Sequence, residues 1–316
     1  MADDQGERLA LATTTAAAER GIGGRAGGRE RGRGLALVAA VPAVLWMVAF
    51  FVVPLGVFAF YSLLTNAFYD VAFPLTTDAY VSAVTSPLNR TLAWNSASVG
   101  LTTGAITVAV GLPVAYWLRF VAGRSRVAVL FLITSSMFAS YLVRIYAWRT
   151  ILGSRGVVNS VLDRVGLIDE PLGFLLYSRF AVVLALVHIF LPYVVLVLYA
   201  AMAPLGRGLL EAGEDLGAGS SLLWRRVILP IMAAPAVSAF VFVFILSAAD
   251  YVTPQFLGGR DGLTLGVQIQ SNFITVGNWP LAAATSILML LAFLLLFLLL
   301  NALLRFRRLH DLRIQT

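Results

Sequence analysis

Six nearly uninterrupted apolar stretches alternate with short connections rich in arginine, glycine and proline. They fall at about residues 35–61, 95–118, 127–148, 180–203, 231–249 and 281–304. A helix needs about 20 consecutive apolar residues to cross the hydrocarbon core of a bilayer, and each stretch meets or nears that length. The pattern predicts an all-α polytopic membrane protein with six transmembrane helices. Pro192 and the Gly111-Leu112-Pro113 step are expected to kink or break their helices, because proline removes a backbone donor and its ring collides with the preceding turn. Pro42 and Pro54 lie near the ends of the first stretch, where proline is tolerated.

Residues 1–34 stand apart. Glycine, alanine, threonine and arginine dominate them, with almost no large apolar residue. Such a composition cannot bury a core and is expected to be disordered. The apolar run that follows is too long for the hydrophobic region of a signal peptide and reads as an uncleaved first span. The expected organisation is a tail over 1–34, a six-helix membrane domain over 35–308 and a short C-terminal tail over 309–316.

Composition sharpens the picture mainly by exclusion. The chain is 59% apolar and only 12% charged, with a mean hydropathy of +0.87, whereas soluble domains carry about 25% charged residues. All 23 basic residues are arginine. A phosphate-binding loop needs a lysine to reach the nucleotide, so the chain does not hydrolyse ATP by that route. A Schiff-base lysine is likewise excluded. Cysteine is absent and only His188 and His310 are present, which removes thiol nucleophiles and clustered thiolate or histidine metal sites. No catalytic residue, metal or cofactor is expected.

The formal charge of +7 does not point to nucleic acid, because the arginines gather at the ends of apolar spans and suit anchoring to anionic membrane lipid. Sixteen of them lie in the tail, the 119–126 and 204–230 loops and the C-terminal end, against six in the opposite loops. The excess of arginine on the cytoplasmic side places both termini and the 204–230 loop in the cytoplasm. Arg144 lies inside the third stretch.

The 204–230 loop carries the most specific pattern. It reads Glu211-Ala212-Gly213-Glu214-Asp215-Leu216-Gly217, then nine residues, then Val227-Ile228-Leu229-Pro230. Glu211 and Asp215 are one helical turn apart, and acids in a first turn are favoured by the helix dipole. Gly217 sits where a short helix should stop in a left-handed conformation. Ser220 or Ser221 can cap a second helix, with Leu222, Leu223, Trp224 and Val227 on its apolar side. That unit offers an apolar ridge with a charged rim, suited to docking in a groove.

The loop resembles the EAA loop of ABC-importer permeases, whose pattern is Glu-Ala-Ala, three residues, Gly, nine residues, Ile, one residue, Leu-Pro. Gly213 replaces the third Ala and Val227 the Ile. Residues Ser140 to Arg149, with Ile151 to Gly153 and Gly156 to Asn159, and the run Asp250 to Gly259 are similar to segments of the spermidine/putrescine-type permeases. Ser136-Met137-Phe138 stands where that subfamily usually has proline, and Pro235-Ala236 where it has Pro-Gly.

The resemblance implies a type I ABC-importer permease subunit in a bacterial cytoplasmic (inner) membrane, moving a small solute, a polyamine such as spermidine or putrescine, by alternating access. Its implied partners are a cytoplasmic pair of ATPase subunits that receive the Glu211 loop, a second permease in a hetero-dimer and an extracytoplasmic substrate-binding protein. The alternatives are another solute, amino acid-like or opine-like, or an ion-coupled secondary transporter. The latter needs acids inside its spans, and only Asp250 approaches one. Arg144, Tyr146, Trp148, Asp250 and Tyr251 are the candidates for lining the path. Asp250 and the aromatic faces suit a polycation through ion pairing and cation–π contact. Arg144 suits it only when neutralised, for instance by Asp250. A structural role for Arg144 is the competing expectation, and packing is the simpler role for His188.

Overall fold

The computed structural model describes residues 41–67 and 69–313. The expected tail over 1–34, the start of the first stretch (35–40) and residues 314–316 lie outside the described residues. The chain divides into two units at Phe60/Tyr61. The described part of the first is the helix α1 (Val41–Tyr61), apolar and long enough to cross a membrane.

The second unit opens with a hairpin of two-residue strands, β1 (Thr65–Asn66) and β2 (Val71–Ala72). The rest is helical: α2 (Asp78–Thr85), α3 (Pro87–Val121), α4 (Arg126–Met137), α5 (Tyr141–Leu152), α6 (Val157–Arg164), α7 (Arg179–Ala201), α8 (Arg207–Asp215), α9 (Ser220–Ala249), α10 (Val252–Leu257), α11 (Leu265–Ile274) and α12 (Trp279–Arg313). Helices α1, α3, α7, α9 and α12 each have the length and composition of a span, and α4 with the helices after it is a bent pair that makes a sixth if counted as one span.

The centre of the second unit is α3, held between α7 and α9. Small residues set how near the helices come. A methyl group on Gly100 would meet Phe244 Cδ2 and the Phe244 carbonyl oxygen at 2.9 Å, and one on Gly104 would meet Phe240 Cδ2 at 2.9 Å. Both glycines therefore face α9. Gly111 faces α7, with Val194 Cγ1 2.9 Å from the same virtual methyl. Membrane helices pack through small residues in this way because van der Waals contact, not the hydrophobic effect, draws them together. Val182, Leu186 and Leu198 of α7 are wholly enclosed in the resulting core.

Three expectations about the spans are corrected. Of the expected kink or break, the break does not occur: α3 continues through Pro113, with a wide turn over Trp117–Val121 after it, and α7 continues through Pro192. Gly111 serves close packing instead. The third span is not one helix over 127–148, because the chain turns by 95° between Met137 and Tyr141. No proline is needed there. Ser136 Oγ donates back to the Ile133 carbonyl at 2.7 Å, a contact that weakens and bends helices. Phe138 and Ala139 then close three-residue turns, and Ser140 is extended (ψ 138°).

Third, the fifth span and the amphipathic helix before it are one continuous element, α9. Its wide turn explains how it passes Pro230. Leu229 donates to the carbonyl five residues back, on Trp224. Val53 and Val48 make the same wide turn just before Pro54 in α1. In both helices a widened turn ends one residue ahead of the proline, which eases the clash of its ring with the preceding turn. Helix α12 runs through Arg313, past both the expected end of the sixth span and the start of the expected 309–316 tail.

Candidate functional site

The loop between α7 and α9 is built on α8. That helix begins at Arg207, so Glu211, Glu214 and Asp215 occupy its middle and last turn rather than its first. The helix dipole does not favour acids there, which corrects that part of the expectation. All three carboxylates are exposed and none has an ion-pair partner among the described residues.

The helix stops as expected at Gly217, whose φ is +82°. Ala218 donates to the Gly213 carbonyl at 3.0 Å and Gly217 to that of Glu214 at 2.8 Å. This pair of bonds is the Schellman termination, which requires the left-handed residue at that place. Gly219 precedes α9, and neither Ser220 nor Ser221 caps it with a side chain, contrary to expectation.

The loop has a bound side and a free side. Leu210, Leu223 and Ile228 are buried, and the Trp224 ring packs 4.9 Å from that of Tyr116 on α3. Two arginines lock the loop to the spans. Arg207 donates to the Phe120 carbonyl at the end of α3, and Arg119 to the Ala203 carbonyl just after α7, both at 3.2 Å. Trp224 thus belongs to the base of the loop, not to an outward ridge, and Val227 is half-buried beside it. The free side carries Leu209, Glu211, Ala212 and Leu216, the last 89% exposed. Leu229 and Pro230 are exposed on α9. The sequence pattern located this loop but did not show the Arg119 and Arg207 clamps, which join residues far apart in the chain.

The candidates for the path do not converge. Arg144 does not pair with Asp250. Its Nη2 donates at 2.8 Å to the Ala139 carbonyl, one of the groups set free where α4 ends. Backbone groups within a membrane must find partners inside the protein, and Arg144 supplies one. Its Nε is buried without a partner.

Asp250 plays the matching part at the end of α9. Its Oδ1 accepts from the Val252 N–H and its Oδ2 from the Thr253 N–H, both at 3.1 Å. The Tyr141 hydroxyl donates to Oδ2 at 2.9 Å and lies 2.8 Å from Thr253 Oγ1. Thr264 Oγ1 donates to the Asp250 carbonyl at 2.9 Å. The carboxylate therefore caps α10 and ties it to α5.

Arg144 and Tyr141 also border a cavity of about 370 Å³, closed by Ile189, Phe190, Tyr193 and Leu246. Tyr251 opens instead into a groove of about 490 Å³ between α9, α11 and α12. Tyr146 is exposed and packs 5.3 Å from the Phe256 ring. Trp148 Nε1 donates to His188 Nδ1 at 3.2 Å, with the two rings edge to face, so His188 packs as expected. Tyr141 and Thr253 are the residues whose role sequence reasoning missed, because a shared carboxylate contact across more than 100 residues leaves no local pattern.

Apolar helices long enough to span a membrane, with breaks at Ser140 and Asp250 and an exposed helical loop clamped onto two of them, define a multi-span helical membrane protein. The chain belongs to the family of binding-protein-dependent transport system inner membrane components, which its residues 108–308 match. The spermidine/putrescine transport system permease protein PotB of Haemophilus influenzae is 32% identical over 245 residues, 77% of this chain and 84% of that protein. The protein of the same name from Escherichia coli is 30% identical over 250 residues, 78% of this chain and 90% of its own length. A bacterial ABC transporter involved in the import of the acidic polysaccharide alginate shares the fold, with a TM-score of 0.69 over 88% of this chain and 97% of that chain at 19% identity.

Proposed function

We propose that this chain is the permease subunit of an ATP-driven importer and carries a polyamine into the cytoplasm by alternating access. The observation that carries the reading is the α8–Gly217–α9 loop. Its outer side is free, and its inner side is clamped by Arg119 and Arg207 to α3 and α7. A partner that moves α8 therefore pulls on both spans. In this reading a pair of cytoplasmic ATPase subunits holds the free side of the loop and performs the hydrolysis, and the chain itself catalyses nothing. The unpaired Glu211, Glu214 and Asp215 suit a basic groove on that partner. Both termini lie in the cytoplasm, a second permease completes the pathway, and an extracytoplasmic binding protein delivers the solute.

Polyamine as the solute rests on the two relatives named for spermidine and putrescine. Arg144, Tyr146, Trp148, Asp250 and Tyr251 remain the proposed path residues, with the aromatic faces suited to ammonium groups. A second reading, in which the solute is another small molecule, is favoured by one observation. The Asp250 carboxylate is already engaged by three donors, and the uncompensated charge nearby is that of Arg144. Uptake of labelled spermidine and putrescine decides between them. Loss on deleting the gene, restored by the wild-type chain and not by a Gly217→Val chain, supports the polyamine and the coupling loop together. Unchanged uptake on deletion rejects the polyamine.

A further inference from the structure

Helices α3 and α12 both lean on α9 or α11, but they do not close against one another. Between them runs a slot of about 380 Å³. Its α12 wall is a single helical face of Thr285, Leu288, Met289, Ala292, Phe293 and Leu296. Its α3 wall is Asn89, Ala93, Ser96 and Ala97, and Phe244 with Leu265 closes the back. The depth comes from the small residues Ala93, Ala97 and Ala292, which leave room between the two helices. At about 1.5 Å per residue, the α12 face from 285 to 296 is about 16 Å long.

Three features specify what fits. The lining is almost wholly apolar. All the empty space in the slot, including the part open at its side, is about 970 Å³. A helix about 10–12 Å across would fill roughly 1,300–1,800 Å³ over that length, more than the slot holds, and a thinner occupant, a single hydrocarbon chain, suits it. The third feature is charge at one end. Arg90 donates its Nε to the Val84 carbonyl at 2.9 Å, which pins the guanidinium at the mouth. Its Nη groups have no partner among the described residues. The mouth is also the first turn of α3, whose positive dipole end favours an anion. Trp94, one turn further along α3, is 69% exposed and marks the level where indoles settle at a membrane interface.

We infer that the slot between α3 and α12 binds one acyl chain of an anionic phospholipid, with the headgroup phosphate held by Arg90 at the mouth. The chain lies along Ala97 and Ala292. It presses on Phe244, the residue whose ring and carbonyl meet Gly100 in the α3–α9 contact. The bound lipid therefore supports the central helix packing from the side.

The test uses the full chain in nanodiscs of mixed phosphatidylcholine and phosphatidylglycerol, stripped stepwise with detergent and weighed intact by native mass spectrometry. Wild-type protein is expected to keep one phosphatidylglycerol after the remaining lipid is gone. Arg90→Gln should keep it about tenfold less well, as expected for losing a charge-assisted contact to phosphate, and should lose the preference over phosphatidylcholine. Ala292→Leu fills the slot and should retain neither lipid. Both positions are exposed, so both variants should fold. Equal retention by all three chains overturns the inference, since the lipid would then be an unspecific annulus. A disulfide formed between two Ala97→Cys chains on mild oxidation, in a protein otherwise free of cysteine, overturns it as well.

Discussion

Gly213 and Leu223 meet across the turn between α8 and α9, so closely that a methyl group on Gly213 would lie 2.5 Å from Leu223 Cδ2. The leucine fills the volume that the family's third alanine would occupy. The obstructing atom is the end of a flexible side chain, so Gly213→Ala should cost little, about 0.5–1.5 kcal/mol for an off-rotamer leucine, with transport intact. The pair should also be non-additive. In a Leu223→Ala background the Gly213→Ala change should cost nothing, and a thermal-stability double-mutant cycle measures the coupling.

Gly217 is different, because nothing crowds it and only its backbone matters. At φ +82° a residue with a Cβ costs roughly 1–2 kcal/mol, and a β-branched residue more. Gly217→Val should remain in the membrane yet lose transport and its ATPase partner. Gly217→Asn, which tolerates the left-handed region, should keep most of both. Co-purification and uptake read the two outcomes, and normal transport by the valine variant would remove the docking role of the loop.

The clamps predict uncoupling. Arg119→Gln and Arg207→Gln each remove a bond from the loop to a carbonyl at the end of a span. Each should leave ATPase binding intact and lower uptake per ATP hydrolysed. A matched fall in binding and uptake would show that the arginines only stabilise the loop.

At the end of α9, Tyr141→Phe strands one acceptor of Asp250 and should destabilise the protein by about 1–3 kcal/mol. Asp250→Ala also removes the cap on α10 and should cost more. Asp250→Asn keeps an acceptor for the backbone and should be the mildest in melting temperature. Unchanged rate and affinity for a cationic solute in that variant would exclude Asp250 from the path.

Gly100→Ala should be among the most damaging single-methyl changes, since the group it meets includes the Phe244 carbonyl, which cannot rotate away. Loss of folded protein in detergent, measured by size-exclusion chromatography, is the expected outcome. Gly173→Ala, with nothing within 4 Å, should be silent.

The chain alone located five spans and the apolar stretch of the bent pair that could make a sixth, because transfer from water to lipid acts on each apolar residue where it stands. It also determined the loop and its stop at Gly217, since a left-handed residue ending a helix is a local requirement with a local signature. Tertiary structure decided what depends on distant neighbours. The break before Tyr141 follows from backbone groups that Arg144 can satisfy, and Arg144 is not answered by Asp250. The inward turn of Trp224 follows from Tyr116, more than 100 residues earlier. The slot beside α3 exists only because small residues on two separate helices face one another, and no single stretch of sequence contains that space.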